Sequence, residues 1–145
     1  MQLRLTRLKT ECEAAVTTED LQPKDGATFC NVAVDRICRN VYGIEYFKDK
    51  MANQICDILD NSGEWDKIKA KDASYKSLQG LLVIASLPAD PHGHVAVVYP
   101  SGLVYSAKWK SDCPLVSNVG KKNGIMGANW AFDSVPRYHA WKGLA

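Results

Sequence analysis

The hydrophobic positions change period about halfway along the chain. Leu5, Leu8, Cys12, Ala15 and Val16 recur at helical spacing, which predicts an amphipathic helix over about 3–17 with Arg4, Arg7, Lys9 and Glu13 on its wet side. A polar loop from Thr17 to Gly26 follows. Cys30, Ala33, Val34, Ile37, Cys38 and Val41 then mark one face of a second helix, and Asn31, Asp35, Arg36, Arg39 and Asn40 fall on the other. The Asp25-Gly26 pair predicts the turn before it, Thr28 or Asp25 offers an N-cap oxygen, and Gly43 stands where a left-handed C-cap belongs. Met51, Ile55, Ile58 and Leu59 predict a third helix ended by Asn61-Ser62-Gly63. Glu64 to Lys71 follows neither period, and Asp72 to Gln79 reads as a short helix capped by Asp72 and stopped by Gly80.

From Gly80 the pattern is that of strands. Leu81-Leu82-Val83-Ile84-Ala85 is a continuous apolar run of the kind a buried strand shows, and the sheet is expected to begin there. Asp90-Pro91-His92-Gly93 makes a turn, His94 to Tyr99 a second strand, Pro100-Ser101-Gly102 a hairpin turn and Leu103 to Trp109 a third strand. A strand around Leu115 to Val119, a Gly- and Lys-rich loop from Gly120 to Gly127, the segment Asn129 to Phe132 and an edge-like alternation over Arg137 to Trp141 complete the chain. Short connections imply antiparallel pairing. Helices first and strands second define an α+β fold, with the helices on one face of an antiparallel sheet, in one domain over residues 1–145.

Composition narrows the classes. Hydrophobic residues make up 46% and charged residues 23%, an ordinary globular balance that argues against a disordered or fibrous chain. A net charge of +2 without long like-charge runs gives no electrostatic case for nucleic acid or a membrane surface, although it tolerates an anionic polymer such as a cell wall. The five cysteines, Cys12, Cys30, Cys38, Cys56 and Cys113, are widely spaced with no CxxC pair, which disfavours a zinc ribbon or a redox dithiol. Their odd number leaves at least one unpaired within a monomer. Residues 1–7 are basic but lack the apolar run and cleavage site of a secretory signal, so synthesis in the cytoplasm and transport by other means are expected.

The candidate chemistry centres on Cys30. A thiol in the first turn of a helix meets unpaired N–H groups and the positive end of the macrodipole, which are expected to pull its pKa below the free value of about 8.5. A buried small hydrophobe is the ordinary role of a free cysteine, so a base must be found. Of three histidines, His92 lies in the turn, His139 near the end, and His94 opens a strand whose alternation groups it with Ala96 and Val98. Those small or β-branched neighbours suit close approach of the Cys30 helix. Asn118 is the residue chosen to orient the imidazole, with Ser117 and Asn123 as alternatives. Asp90, His92 and His94 with Cys113 form a competing metal-binding reading. Trp109, Trp130 and Trp141 are candidates either for the core or for a groove that takes glycan or peptide.

The order of Cys30 at a helix start, His94 at a strand start and a polar residue on a later strand resembles the papain-like cell-wall peptidases of the NlpC type. The likeness is closer to the small amidase effectors of bacterial type VI secretion, which share Gly80-Leu81-Leu82-Val83-Ile84-Ala85 and Gly93-His94-Val95-Ala96-Val97-Val98. It runs from about the first helix to the second strand and fades after Gly102. Many relatives carry Asp-Cys-Ser-Gly where this chain has Phe29-Cys30-Asn31-Val32. The resemblance implies a papain-like fold, Cys30 as nucleophile, His94 as base, and Asn118 as the third member by position class. It implies hydrolysis of an amide bond in the peptide stem of peptidoglycan, between γ-D-glutamate and diaminopimelate, by an antibacterial effector that reaches the periplasm of a target cell. An immunity protein is the implied partner, and no metal or other cofactor, nucleic acid, membrane or second copy is expected. A phage lysis endopeptidase and a non-catalytic wall-binding module of the same fold are the alternatives.

Overall fold

The computed structural model describes residues 2–144. The chain forms α1 (Gln2–Thr17), a 3-10 turn (Glu19–Leu21), α2 (Cys30–Ile37) running into a π-helical turn (Cys38–Tyr42), and α3 (Ala52–Asn61). Then come β1 (Trp65–Ile68), α4 (Ala70–Leu78), β2 (Val83–Leu87), β3 (His94–Val98), β4 (Val104–Ser106), β5 (Ser111–Cys113), β6 (Leu115–Asn118), β7 (Gly124–Gly127), α5 (Ala128–Ala131), β8 (Arg137–Trp141) and a final 3-10 turn (Lys142–Leu144). Six strands make one antiparallel sheet in the order β1-β8-β2-β3-β6-β7, and β4 and β5 form a separate ribbon. The fold is therefore α+β, with the helices that precede β1 packed on an antiparallel sheet.

Two cores sandwich the sheet. On one face Leu8, Ile37, Ile55 and Leu59 of α1–α3 close over Leu82, Ile84, Val95 and Val97. On the other Ala73 of α4, Ala128 of α5 and Cys113 of the ribbon close over Val83, Ala85, Ala96 and Val98. Each fully buried Val, Leu or Ile contributes about 1.5–3 kcal/mol by leaving water. Coverage of both faces explains why β2 and β3 lack polar alternation, since neither side of either strand is wet. It also corrects the expectation of helices on a single face: α4 and α5 occupy the second one.

Several boundaries differ from the sequence reading, each for a nonlocal reason. The sheet begins at β1, not at Gly80, because Trp65–Ile68 finds its partner at the far end of the chain, in register Trp65↔Trp141 to Ile68↔Tyr138. Arg137–Trp141 is consequently an interior strand between β1 and β2, not an edge. Leu103–Trp109 does not return along β3. Val104–Ser106 pairs with Ser111–Cys113, and the second neighbour of β3 is β6. The Gly- and Lys-rich segment contains β7, paired with β6 from Leu115↔Gly127 to Asn118↔Gly124. Met51 is exposed at the N-cap of α3 and stands off its apolar face.

Candidate active site

The helix that carries Cys30 starts without a side-chain cap. Asp25 and Gly26 adopt left-handed backbone (φ 52° and 82°) in a tight turn closed by the paired Lys24 and Ala27 backbones, so Asp25 is consumed by the turn. Phe29 occupies the N-cap position, neither Thr28 nor Asp25 bonds the helix, and among the described residues no side chain caps it. The first amide recorded in the helical ladder is that of Ala33, which donates to the Phe29 carbonyl at 3.0 Å. The N–H groups of Cys30, Asn31 and Val32 thus belong to the orphan donors of a helix start. At the other end Gly43 adopts the expected left-handed C-cap, with φ of 68°.

α2 packs over β3, with Cys30 in the same core as Val95 and Val97. This reverses the expected facing, in which His94, Ala96 and Val98 would receive the Cys30 helix. Ala96 and Val98 belong to the opposite core, and the ring of His94 lies against Phe132 on that side, with centroids 4.9 Å apart. Val34 and Ile37 of α2 share the core of Val95 and Val97, whereas Ala96 sits beneath the second layer with Ala73 and Ala128. Cys30 is buried, with the backbone N–H dipoles of Val95, Asn31 and Cys30 itself acting on its thiol. Those dipoles favour the thiolate, but burial outweighs them and pushes the thiol up from its ordinary value. The lowered pKa expected from the helix terminus alone is corrected on this point.

His94 and Asn118 come together at the mouths of β3 and β6. His94 Nε2 and Asn118 Oδ1 are 2.6 Å apart, and Asn118 Nδ2 donates to the Lys122 carbonyl at 2.8 Å. The second bond fixes which end of the amide faces the ring: the oxygen accepts, so Nε2 carries the proton and Nδ1 is left as the basic nitrogen. Burial lowers the His94 pKa, and the bond to Asn118 opposes that shift. Gly120 closes the site from below, since a Cβ there would stand 3.3 Å from His94 Cε1. Ser117 faces the other way and donates to the Cys12 carbonyl at 2.7 Å. Asn123 acts one step out, accepting from Gly120 N–H at 2.9 Å and donating to the Leu21 carbonyl at 2.8 Å.

The site therefore has two parts that meet along one strand. Val95, the residue that follows His94, shares the core of Cys30 and its N–H dipole favours the thiolate, while among the described residues no hydrogen bond joins Cys30 to His94. An open cleft of about 480 Å³ leads to Cys30 between the starts of α2 and α3 and the turn before β3, and Thr28, Asn31, Asn53, Gln54 and His92 line it. Two participants were invisible in the sequence. Phe132 reaches His94 through the sheet's second layer, and Lys122 contributes a carbonyl, which no side-chain pattern encodes.

The remaining candidates lie elsewhere in the fold. His139 is buried, with Nε2 3.2 Å from Asp60 Oδ1, and Arg137 holds the other oxygen of the same carboxylate. The metal reading is not assembled: His94 spends Nε2 on Asn118, Cys113 lies against Asn129, and among the described residues no three His, Cys, Asp or Glu side chains are grouped to hold an ion. All five cysteines are free and buried. Trp109 packs against the second core and Trp141 against Tyr42 and Tyr46, whereas Trp130 is 80% exposed. No helix among the described residues is long and apolar enough to cross a membrane. Neither family models nor curated proteins give a match to this chain.

Proposed function

We propose that the chain is a papain-like cysteine amidase of the NlpC type that hydrolyses an amide bond in the peptide stem of peptidoglycan. The observation that carries this reading is the 2.6 Å bond between His94 Nε2 and Asn118 Oδ1, which leaves Nδ1 as the basic nitrogen one residue before Val95, which shares the core of Cys30. That is the division of labour a Cys-His-Asn site requires. In the resting site burial disfavours either charge alone, so thiol and imidazole are both neutral. Transfer of the Cys30 proton to His94 Nδ1 as substrate enters creates opposite charges together, at no change in net charge.

The thiolate attacks the scissile carbonyl carbon, and the C–S bond forms as the carbonyl electrons move to oxygen. The orphan N–H groups at the start of α2 receive that oxyanion. His94 then gives its proton to the departing nitrogen as the C–N bond breaks, leaving an acyl enzyme and a free amine. Water, deprotonated by His94, attacks the acyl carbon, and the thiol is restored with release of a carboxylic acid. Contact between Nδ1 and sulfur is expected to tighten in the substrate complex. The γ-D-glutamyl-diaminopimelate bond, an antibacterial role with delivery to a target periplasm, and an immunity protein over the Cys30 cleft complete the reading by resemblance.

The decisive experiment is mass spectrometry of muropeptides digested with wild type, Cys30→Ala and His94→Ala proteins. Loss of cleavage in both variants with intact folding is expected, and the product masses identify the bond. Cleavage unchanged by Cys30→Ala would overturn the reading. Binding to sacculi with no fragments released by wild type would favour the non-catalytic module instead.

A further inference from the structure

The loop that delivers His94 is tied to α3 by one side chain. Asn53, in the first turn of α3, donates through Nδ2 to the carbonyls of Ala89 at 2.8 Å and Pro91 at 3.3 Å, and its Oδ1 accepts from Ala89 N–H at 3.2 Å. Both ends of the amide are therefore spent on the five residues that precede His94. The contact is close enough that a Cβ at position 93 would lie 2.3 Å from Asn53 Oδ1 and 2.8 Å from the Leu87 carbonyl, so Gly93 is required for the loop to lie against α3. The chain of amides continues towards the nucleophile. Asn31, the residue after Cys30, donates to the Lys50 carbonyl at 2.8 Å, just before Met51 begins the α3 cap. The cysteine helix, the start of α3 and the histidine loop are thus joined by two asparagine side chains, with neither side chain on the reacting atoms.

From this geometry we infer that Asn53 is a positioning residue: it fixes the 89–93 loop, and with it the approach of His94 to Cys30. The inference rests on the proposed cysteine-amidase reading. The backbone pairing Leu87↔His94 holds the strand end but leaves the intervening turn unpaired by the sheet, and Asn53 supplies the bonds there. Pro91, His92 and Gly93 also wall the cleft to Cys30, so the same side chain sets the shape of the substrate entrance. Misplacement of a catalytic group by about 1 Å is enough to cost on the order of 100-fold in rate.

The test is Asn53→Ala in the full chain, with muropeptide turnover, the pH dependence of Cys30 alkylation by iodoacetamide, and the ring nitrogen signals of His94 by NMR. The variant should fold, lower kcat by about 10- to 100-fold, and shift the His94 ring signals. Its alkylation profile should move toward that of His94→Ala. Gly93→Ala attacks the same contact from the loop side, so the double variant should lose less than the two single losses multiplied. If Asn53→Ala fails to fold, Asn53→Asp keeps the acceptor for Ala89 N–H, removes both donors, and is judged by the same readouts. Wild-type kcat and unmoved His94 signals in a folded variant overturn the inference. Undiminished turnover in His94→Ala would instead overturn the amidase reading, while the His94 signals still report whether Asn53 places the ring.

Discussion

Replacing Asn118 by alanine isolates the interaction on which the proposed site turns. The substitution removes the oxygen that accepts the His94 Nε2 proton at 2.6 Å and the amide that donates to Lys122 at 2.8 Å. A polar group left without its partner in a largely buried setting costs about 1–3 kcal/mol. If the imidazole escapes that cost by turning or by moving its proton to Nδ1, the nitrogen proposed as base is no longer free to take the thiol proton. At about 1.36 kcal/mol per decade, kcat/KM should fall by roughly 5- to 150-fold. The pH profile carries a second signature. Burial lowers the His94 pKa and the Asn118 bond raises it, so Asn118→Ala should move the acid limb of kcat/KM to lower pH, while Asn118→Asp, which places a carboxylate there, should move it higher. Muropeptide hydrolysis followed by chromatography across the acidic range measures both. Full kcat/KM and an unmoved limb in a folded Asn118→Ala protein would refute the role given to this residue.

Other outcomes follow from the same structure. The folded pKa of His94 and of His139 lies below the ordinary 6.5, so the unfolded chain takes up protons first, and stability present above pH 6.5 should decline as pH falls below it. Cys56 is pushed up from 9.0 to about 11 and Cys12 and Cys38 are also raised by burial, so stability should decline again as pH rises above 9; urea titrations across pH check both limits. Ile84→Ala removes a fully buried side chain from β2 beneath the helical layer and should cost about 2–5 kcal/mol in the same assay, a smaller loss meaning that α1–α3 collapse onto the vacancy. Trp130 is 80% exposed whereas Trp65 is 5% exposed, so Trp130→Phe should remove most of the iodide-quenchable fluorescence while changing stability by less than about 0.5 kcal/mol.

What the sequence disclosed was whatever short-range periodicity could encode. The α1 and α2 faces, Gly43 at a helix end and the apolar strands β2, β3 and β6 all follow from spacing and turn chemistry. What it concealed depends on pairing over long separations. Trp65–Ile68 gains its identity as a strand only from residues 138–141, and Val104–Ser106 leaves β3 because β6 takes the place beside it. Sheet register likewise decides the polar partner of His94. Ser117 and Asn118 are adjacent in sequence but point to opposite faces, so Ser117 meets Cys12 of α1 and Asn118 meets the imidazole.

The start of α2 joins the errors of the sequence reading to the chemistry proposed for the site. Thr28 and Asp25 are the residues that ordinary capping rules select, and a good cap contributes about 1 kcal/mol. Here the turn holds Asp25 in left-handed backbone, Phe29 takes the cap position, and the helix forgoes that contribution. A capping oxygen would bond the N–H of the second or third helical residue, Asn31 or Val32, which are among the groups available to an oxyanion beside Cys30. In the proposed mechanism the local rule fails where the helix start receives the oxyanion, which is the expected place for such a failure. Introducing a cap at this point, as Phe29→Ser or Phe29→Asp, should therefore occupy these amides and lower kcat, while loss of the Phe29 ring from the core offsets the gain from capping. A folded, capped variant that kept full turnover would show that these amides take no part in the reaction.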